Sequence, residues 1–199
     1  MKHVLNLQAT DERNVLMGYA MGTKPNQRIA LIKELIHRAL IALLKEQDIH
    51  KISIRELCGI AGINRTTFYN HYGSQYDVLA EMEQVFLNDV AAFLFEGNDQ
   101  NRKPMEQVLR YLESNLEFVR LLFNSNVDPE FPRKLFSLSP IQQTLQRISA
   151  REALEREQDD TMSFLLYGGY QIVQIWINKD NDRDSPEWMA EMIENLMRK

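Results

Sequence analysis

Residues 64–71 read Asn-Arg-Thr-Thr-Phe-Tyr-Asn-His and gather hydrogen-bonding side chains into one stretch. Arg65 offers a planar fork of donors that fits the two acceptors on a guanine edge. Thr66 and Thr67 bring hydroxyls and methyls, and Asn64, Tyr69, Asn70 and His71 can bond phosphate oxygens or base edges. This is recognition chemistry and not bond-making chemistry. The sequence shows no Gly-rich phosphate loop, nucleophile elbow, metal-ligand cluster or convincing carboxylate pair, so an enzyme is not expected. His37 and His50 stand at polar positions with no second ligand at metal spacing, and neither metal nor cofactor is expected.

Such a stretch needs a scaffold to present it. Ser53 followed by Glu56 has the form of a capping box, which starts a helix. Gly62 supplies the permissive backbone of a tight turn, and Asn64 is a good N-cap for a second helix. Two short helices joined by a turn make a helix-turn-helix, whose second helix is suited to a DNA major groove. Phe68, among the polar residues, is expected to face the core. Cys58 lies on the apolar side of the first of these helices and reads as a buried small residue. As the single cysteine it excludes an internal disulfide.

Charge divides along the chain. The net charge of −5 is spread unevenly: residues 24–76 hold eight basic and four acidic side chains, whereas residues 77–199 hold 13 basic and 22 acidic. A basic head on an acidic body is the footprint of a protein whose head alone meets phosphate. The chain has 199 residues, 44% hydrophobic, enough for a sizeable core. No apolar run reaches the roughly 18 residues that span a bilayer. The N-terminus lacks the pattern of a signal peptide, so no membrane partner and a cytoplasmic location are expected.

The spacing of Ile29, Ile32, Ile36, Leu40 and Leu43 predicts a helix over 28–47. Ser74 with Asp77 opens a long helix to about Phe95, and Gly97 to Asn101 is a loop. Further helices are expected over 104–114, 116–123, 141–156, 161–178 and 185–197, with a helical turn or two in the proline-bearing segment 127–140. The fold class is all-α, with about nine helices. Residues 1–25 are a loose arm or a short extra helix. Residues 26–73 form the helix-turn-helix head, which extends into a linking helix 74–96, and residues 97–199 form a helical body.

Residues 61–72, Ala-Gly-Ile-Asn-Arg-Thr-Thr-Phe-Tyr-Asn-His-Tyr, resemble the signature of the TetR family of bacterial transcriptional regulators. That pattern has Ala-Gly-Val-Ser, two variable residues, Thr, an apolar residue, Tyr, a variable residue, His and an aromatic. Thr67, Tyr69 and His71 match. Asn64 replaces the usual Ser and keeps the capping chemistry, Tyr72 replaces the usual Phe, and Gln75 stands where the family has a phosphate-contacting Lys. The Gly168-Gly169-Tyr170 segment and the Ser185-Pro186-Glu187-Trp188 segment resemble the C-terminal domain of a subgroup that includes regulators of dihydroxyacetone kinase genes.

The resemblance implies a homodimer on a double-stranded DNA operator, most often as a repressor. Ser53 then bonds a phosphate, Arg65, Thr66 and Thr67 reach base edges, and Tyr69 and His71 hold phosphates. Packing inside the head is the competing role for Thr67 and Tyr69. Lys51 and Arg55 are either backbone contacts or solvated surface. A helix-turn-helix protein acting through non-specific DNA or protein contacts is the alternative.

The body is expected to dimerise and to sense. Phe164, Leu165, Gly168, Gly169, Ile172, Trp188, Met192, Ile193 and Leu196 lie on helices apolar on more than one face. Pairing them with their copies makes a four-helix bundle. The two glycines either permit close approach or bend the helix. Phe86, Phe93, Tyr111, Phe118, Phe123, Tyr167, Tyr170, Gln174 and Trp176 are candidates to line a site for an unidentified small-molecule effector, with plain core as the competing role.

Overall fold

A computed structural model describes residues 25–95, 103–124, 127–152 and 158–198. The expected arm, apart from Pro25, the loop at 97–101 and the end of the helix expected over 141–156 lie outside the described residues. Within them the chain forms ten α-helices and no strand. The tenth comes from the proline-bearing segment, where Phe131–Phe136 closes into a short helix.

The chain divides into two compact units, one ending at Gln84 and the other beginning at Val85. In the first, α1 spans Pro25–Leu44. It begins three residues earlier than the periodicity predicts, because a proline at the first helical position loses no bond that the helix needs. A 3-10 turn, Ile49–Lys51, leads to α2, Ile54–Ala61, and α3, Arg65–Tyr69. The long helix α4, Gln75–Phe95, carries the chain across the division. Ile36, Leu40, Leu57, Phe68, Val78 and Met82 are all at most 1% exposed and form the core of this unit. Burial of each such side chain contributes about 1.5–3 kcal/mol.

Local chemistry sets the breaks. The Ser53 hydroxyl accepts the Glu56 amide at 3.2 Å. The box is only half formed, however, since the Glu56 carboxylate takes the Gln47 side-chain amide at 3.0 Å. Gly62 ends α2 at φ 66°, ψ 28°, where an L side chain crowds its own carbonyl. Asn64 Oδ1 accepts the Thr67 amide at 2.7 Å. At the start of α4 the box closes in both directions: Ser74 Oγ accepts the Asp77 amide at 3.3 Å, and Asp77 Oδ2 accepts the Ser74 amide at 3.0 Å.

In the second unit α5 is Pro104–Ser114, α6 Leu116–Asn124, α7 Phe131–Phe136, α8 Ser139–Glu152, α9 Gln158–Asn178 and α10 Pro186–Arg198. α10 packs on α5, and α9 packs on α6 and α8. Aromatic rings bind this unit together. Phe86 lies 5.6 Å from Tyr111, 5.8 Å from Phe131 and 6.4 Å from Phe118 between centroids. Phe123 and Tyr170 stack at 4.7 Å. No helix among the described residues is long and apolar enough to cross a membrane.

Candidate nucleic-acid interface

The five-residue helix α3 sorts its side chains by face. Phe68 is fully buried and fixes the helix to the head. Arg65, Thr66 and Asn70 are exposed, as is Tyr69 at 56%. Thr67 and His71 are half-buried. The Tyr69 ring meets Phe68 edge-on at 5.6 Å between centroids, so one edge of it packs while much of the residue stays open. Arg65 and Thr66 therefore stand together in the first turn with their polar ends outward. Arg65 also bears on Cys58, whose thiol is pushed up by burial and drawn partly back by the nearby guanidinium.

The other expected contacts differ in their freedom. Arg55 and Ser53 are exposed. Ser53 uses its oxygen as a cap and still has a proton to donate outward. Asn64 spends its carbonyl on the Thr67 amide and keeps its NH₂ group. Lys51 is exposed and pairs with Asp48 at 3.1 Å, an ion pair weak enough to exchange for a phosphate. Gln75 is half-buried and donates to the Ile49 carbonyl at 3.3 Å. At the position where the related pattern has a cation, this chain instead ties the start of α4 to the turn that precedes α2.

Behind α3 lies a polar cluster that sequence reasoning missed. The Tyr72 hydroxyl donates to Glu81 Oε1 at 3.0 Å. Lys33 Nζ donates to Glu81 Oε2 at 2.6 Å. His37 Nε2 lies 3.0 Å from the Tyr72 oxygen and 3.6 Å from Glu81 Oε1. Since the Tyr72 proton goes to Glu81, a neutral His37 protonated at Nε2 completes the chain. His37 was expected on a polar face, yet its side chain is only 11% exposed. Burial lowers its pKa to about 4, against the pull of Glu81 and with the help of Lys33. Burial raises the Glu81 carboxyl, but hydrogen bonds from Lys33 and Tyr72 outweigh it and hold the group below its ordinary value. Burial and the Glu81 bond push the Tyr72 phenol well up. The available signal was Tyr72 itself: a tyrosine in place of phenylalanine brings a hydroxyl that, once buried, must find a partner.

In the second unit a cavity of about 170 Å³ is lined by residues of α4, α5, α6, α7, α8, α9 and α10. Of the nine residues proposed for an effector, Phe86, Phe123 and Tyr170 line it. The other six do not. Phe93 packs on Tyr111 at 5.5 Å, Tyr111 bonds Asp89 at 2.8 Å, and Phe118 is buried against Phe86. Tyr167 is 65% exposed beside Phe136. Gln174 donates to the Phe123 carbonyl at 2.6 Å, and Trp176 donates to the Asp184 carbonyl at 2.8 Å.

Three residues expected at a subunit interface, Leu165, Gly169 and Ile193, face the cavity instead. Helix α9 is apolar on several faces, and its inward face begins one residue later than Phe164. Phe164, Trp188 and Leu196 are exposed at 77%, 54% and 52%. Ile172, Trp188 and Met192 line one shallow surface groove, joined by Ile175. Gly168 has open space where a Cβ would stand.

Residues 100–199, half the chain, match the family profile described as Transcriptional regulator C-terminal region (TetR_C_8). The chain belongs to the TetR family of transcriptional regulators. It is 23% identical over 185 residues to the uncharacterized HTH-type transcriptional regulator YxbF of Bacillus subtilis (strain 168), which covers 87% of this chain and 45% of that protein. It is 28% identical over 95 residues to the HTH-type dhaKLM operon transcriptional activator DhaS of Lactococcus lactis subsp. lactis (strain IL1403), over 47% of this chain and 49% of that one. The chain thus spans about half the length of the curated relatives it matches.

Among solved structures, a TetR transcriptional regulator from Streptococcus agalactiae 2603V shares the fold with a TM-score of 0.63 at 23% identity, over 86% of this chain and 96% of that one. The dihydroxyacetone kinase operon activator DhaS does so at 0.52 and 22%, over 84% and 94%. Both belong with the all-helical architecture found here.

Proposed function

We propose that the chain is a sequence-specific DNA-binding regulator that works as a homodimer, with two copies of α3 in neighbouring major grooves of an operator. One observation carries the reading: Arg65 and Thr66 project from the first turn of a helix whose Phe68 is sealed in the core. Base-reading side chains need that division between a rigid anchor and an open fork. The partner surface is the stripe of α9 and α10 on which Phe164, Trp188 and Leu196 are exposed and Gly168, Ile172 and Met192 are half-buried. Two-fold pairing there sets half-sites about 34–36 Å apart.

An effector held in the cavity shifts the equilibrium between binding and release. Helix α4 supplies Phe86, Val90 and Leu94 to the cavity and begins at Gln75 in the head, so it is the continuous element through which occupancy acts. Repression is the first reading of the sign, as the family resemblance most often implies. Activation is the second reading, because the relative whose printed name states a sign is an activator.

Selection of bound sites from random duplexes tests the central claim. An inverted repeat should emerge. Arg65→Ala should cost about 1–3 kcal/mol at one base pair of each half-site and relax the preference there, while Ser53→Ala should weaken all sequences alike. Salt-dependent binding with no preferred sequence supports instead a head that acts through non-specific contacts.

A further inference from the structure

The cavity of the second unit has a chemistry of its own. Among the described residues that line it, none carries a charge. Thr144 and Tyr170 bring its side-chain hydroxyls, and both are turned to the protein: Thr144 donates to the Pro140 carbonyl at 2.8 Å and Tyr170 to the Phe123 carbonyl at 3.4 Å. The rest of the wall is aliphatic, aromatic or glycine, from Val90 and Leu112 to Leu166 and Val173. The space is open to the surface on one side, and its volume of about 170 Å³ is enough for a benzene-sized guest, since an apolar protein cavity of roughly 150 Å³ admits benzene.

We infer that this cavity takes an uncharged apolar molecule, with room for at least a single substituted aromatic ring. It excludes carboxylates, phosphate esters and small polyols. A carboxylate or phosphate there would leave its hydration shell and meet no cation among the described lining residues. A triose or a polyol would lose a hydrogen bond to water at each hydroxyl, with hydroxyls in the wall already engaged. The dihydroxyacetone in the printed name of one structural neighbour is of this excluded class. The inference takes the effector-controlled reading as its premise and specifies the ligand of that same site.

Calorimetric titration of the full chain without DNA tests it, using toluene and benzoate as probes of equal size that differ in charge, with dihydroxyacetone as the small polar probe. Toluene should bind at least tenfold more tightly than either of the others. Gly169→Leu, which sends a side chain into the cavity from a position where a Cβ meets nothing within 4 Å, should weaken toluene at least tenfold with the helical signal retained. If that variant loses its helical signal, Val173→Phe makes the same test from the neighbouring turn.

Benzoate or dihydroxyacetone binding as tightly as toluene overturns the inference. So does a folded wild-type chain that gives no toluene heat, or one whose toluene heat survives both variants. A mobility-shift titration of the ligand-free chain is read separately. Failure there removes the regulatory reading, while the heats alone decide the chemistry of the cavity.

Discussion

The two units solve different problems with different materials. The head presents its outer helix with directional polar bonds: three local caps and one left-handed glycine place a five-residue helix, and a chain of four hydrogen-bonding side chains, drawn from positions up to 48 apart, braces it from behind. The second unit is long-range and aromatic, with rings from separate helices meeting around a hollow. A surface that reads base edges must hold its donors to a few tenths of an ångström. Directional bonds with one good geometry do that. The proposed binding of a guest by the second unit calls for the opposite property, and apolar walls can repack at low cost.

The sharpest way to break the contrast is to remove an anchor from each side. Phe68→Ala empties a fully buried site in the head and should cost about 3–5 kcal/mol, abolishing DNA binding in a mobility-shift experiment. Phe136→Ala, at the cavity wall, enlarges a space that already exists and should cost less than half as much in a thermal melt. Equal losses would show that both units are packed to the same standard.

Next in size is the response to acid. His37 titrates near its ordinary 6.5 in the unfolded chain and at about 4 in the folded one, so the unfolded state takes up more protons between those values. Stability therefore falls as pH falls through that window, by about 2 kcal/mol between pH 7 and 5. Glu81, held below its ordinary value, continues the loss at lower pH. Urea titrations of wild type and His37→Gln at pH 7 and 5 check it; the variant should lose most of the slope. An unchanged slope would mean that the buried imidazole is not what makes the head acid-sensitive.

A smaller effect comes from Tyr72→Phe, which restores the residue usual in the related signature. It deletes a bond to Glu81 and one to His37 and should cost about 1 kcal/mol. DNA affinity at pH 7 should fall with it if the brace sets the angle of α3, and only the melt should change if it does not.

The same contrast explains what could be read from the sequence. The breaks at Ser53, Gly62, Asn64 and Ser74 depend on residues within four positions of one another, so type and spacing sufficed to place α2, α3 and the start of α4. The brace joins Lys33 to Glu81 across 48 positions, and no periodicity announces such a pair. Cavity membership was harder still. Phe164 and Leu165 are adjacent and equally apolar, yet one is exposed and the other faces the hollow. On a helix apolar on several faces, pattern cannot choose the inward one, and only the packing of its neighbours does.

The two adjacent glycines of α9 give the finest test. A Cβ at either position meets nothing within 4 Å, and both lie inside a helix, where alanine is favoured over glycine by about 1 kcal/mol. For an isolated subunit Gly168→Ala and Gly169→Ala should stabilise alike. The proposed dimer separates them. Gly169 faces the cavity, so its methyl should raise the melt and trim the space for a ligand without touching the association constant. Gly168 sits on the stripe with Phe164 and Ile172, where a methyl would hold a paired helix away. Its variant should therefore gain in the dilute melt and weaken association in sedimentation equilibrium. Parallel behaviour of the two would move the pairing surface off this stripe of α9, leaving its exposed aromatics to some other contact.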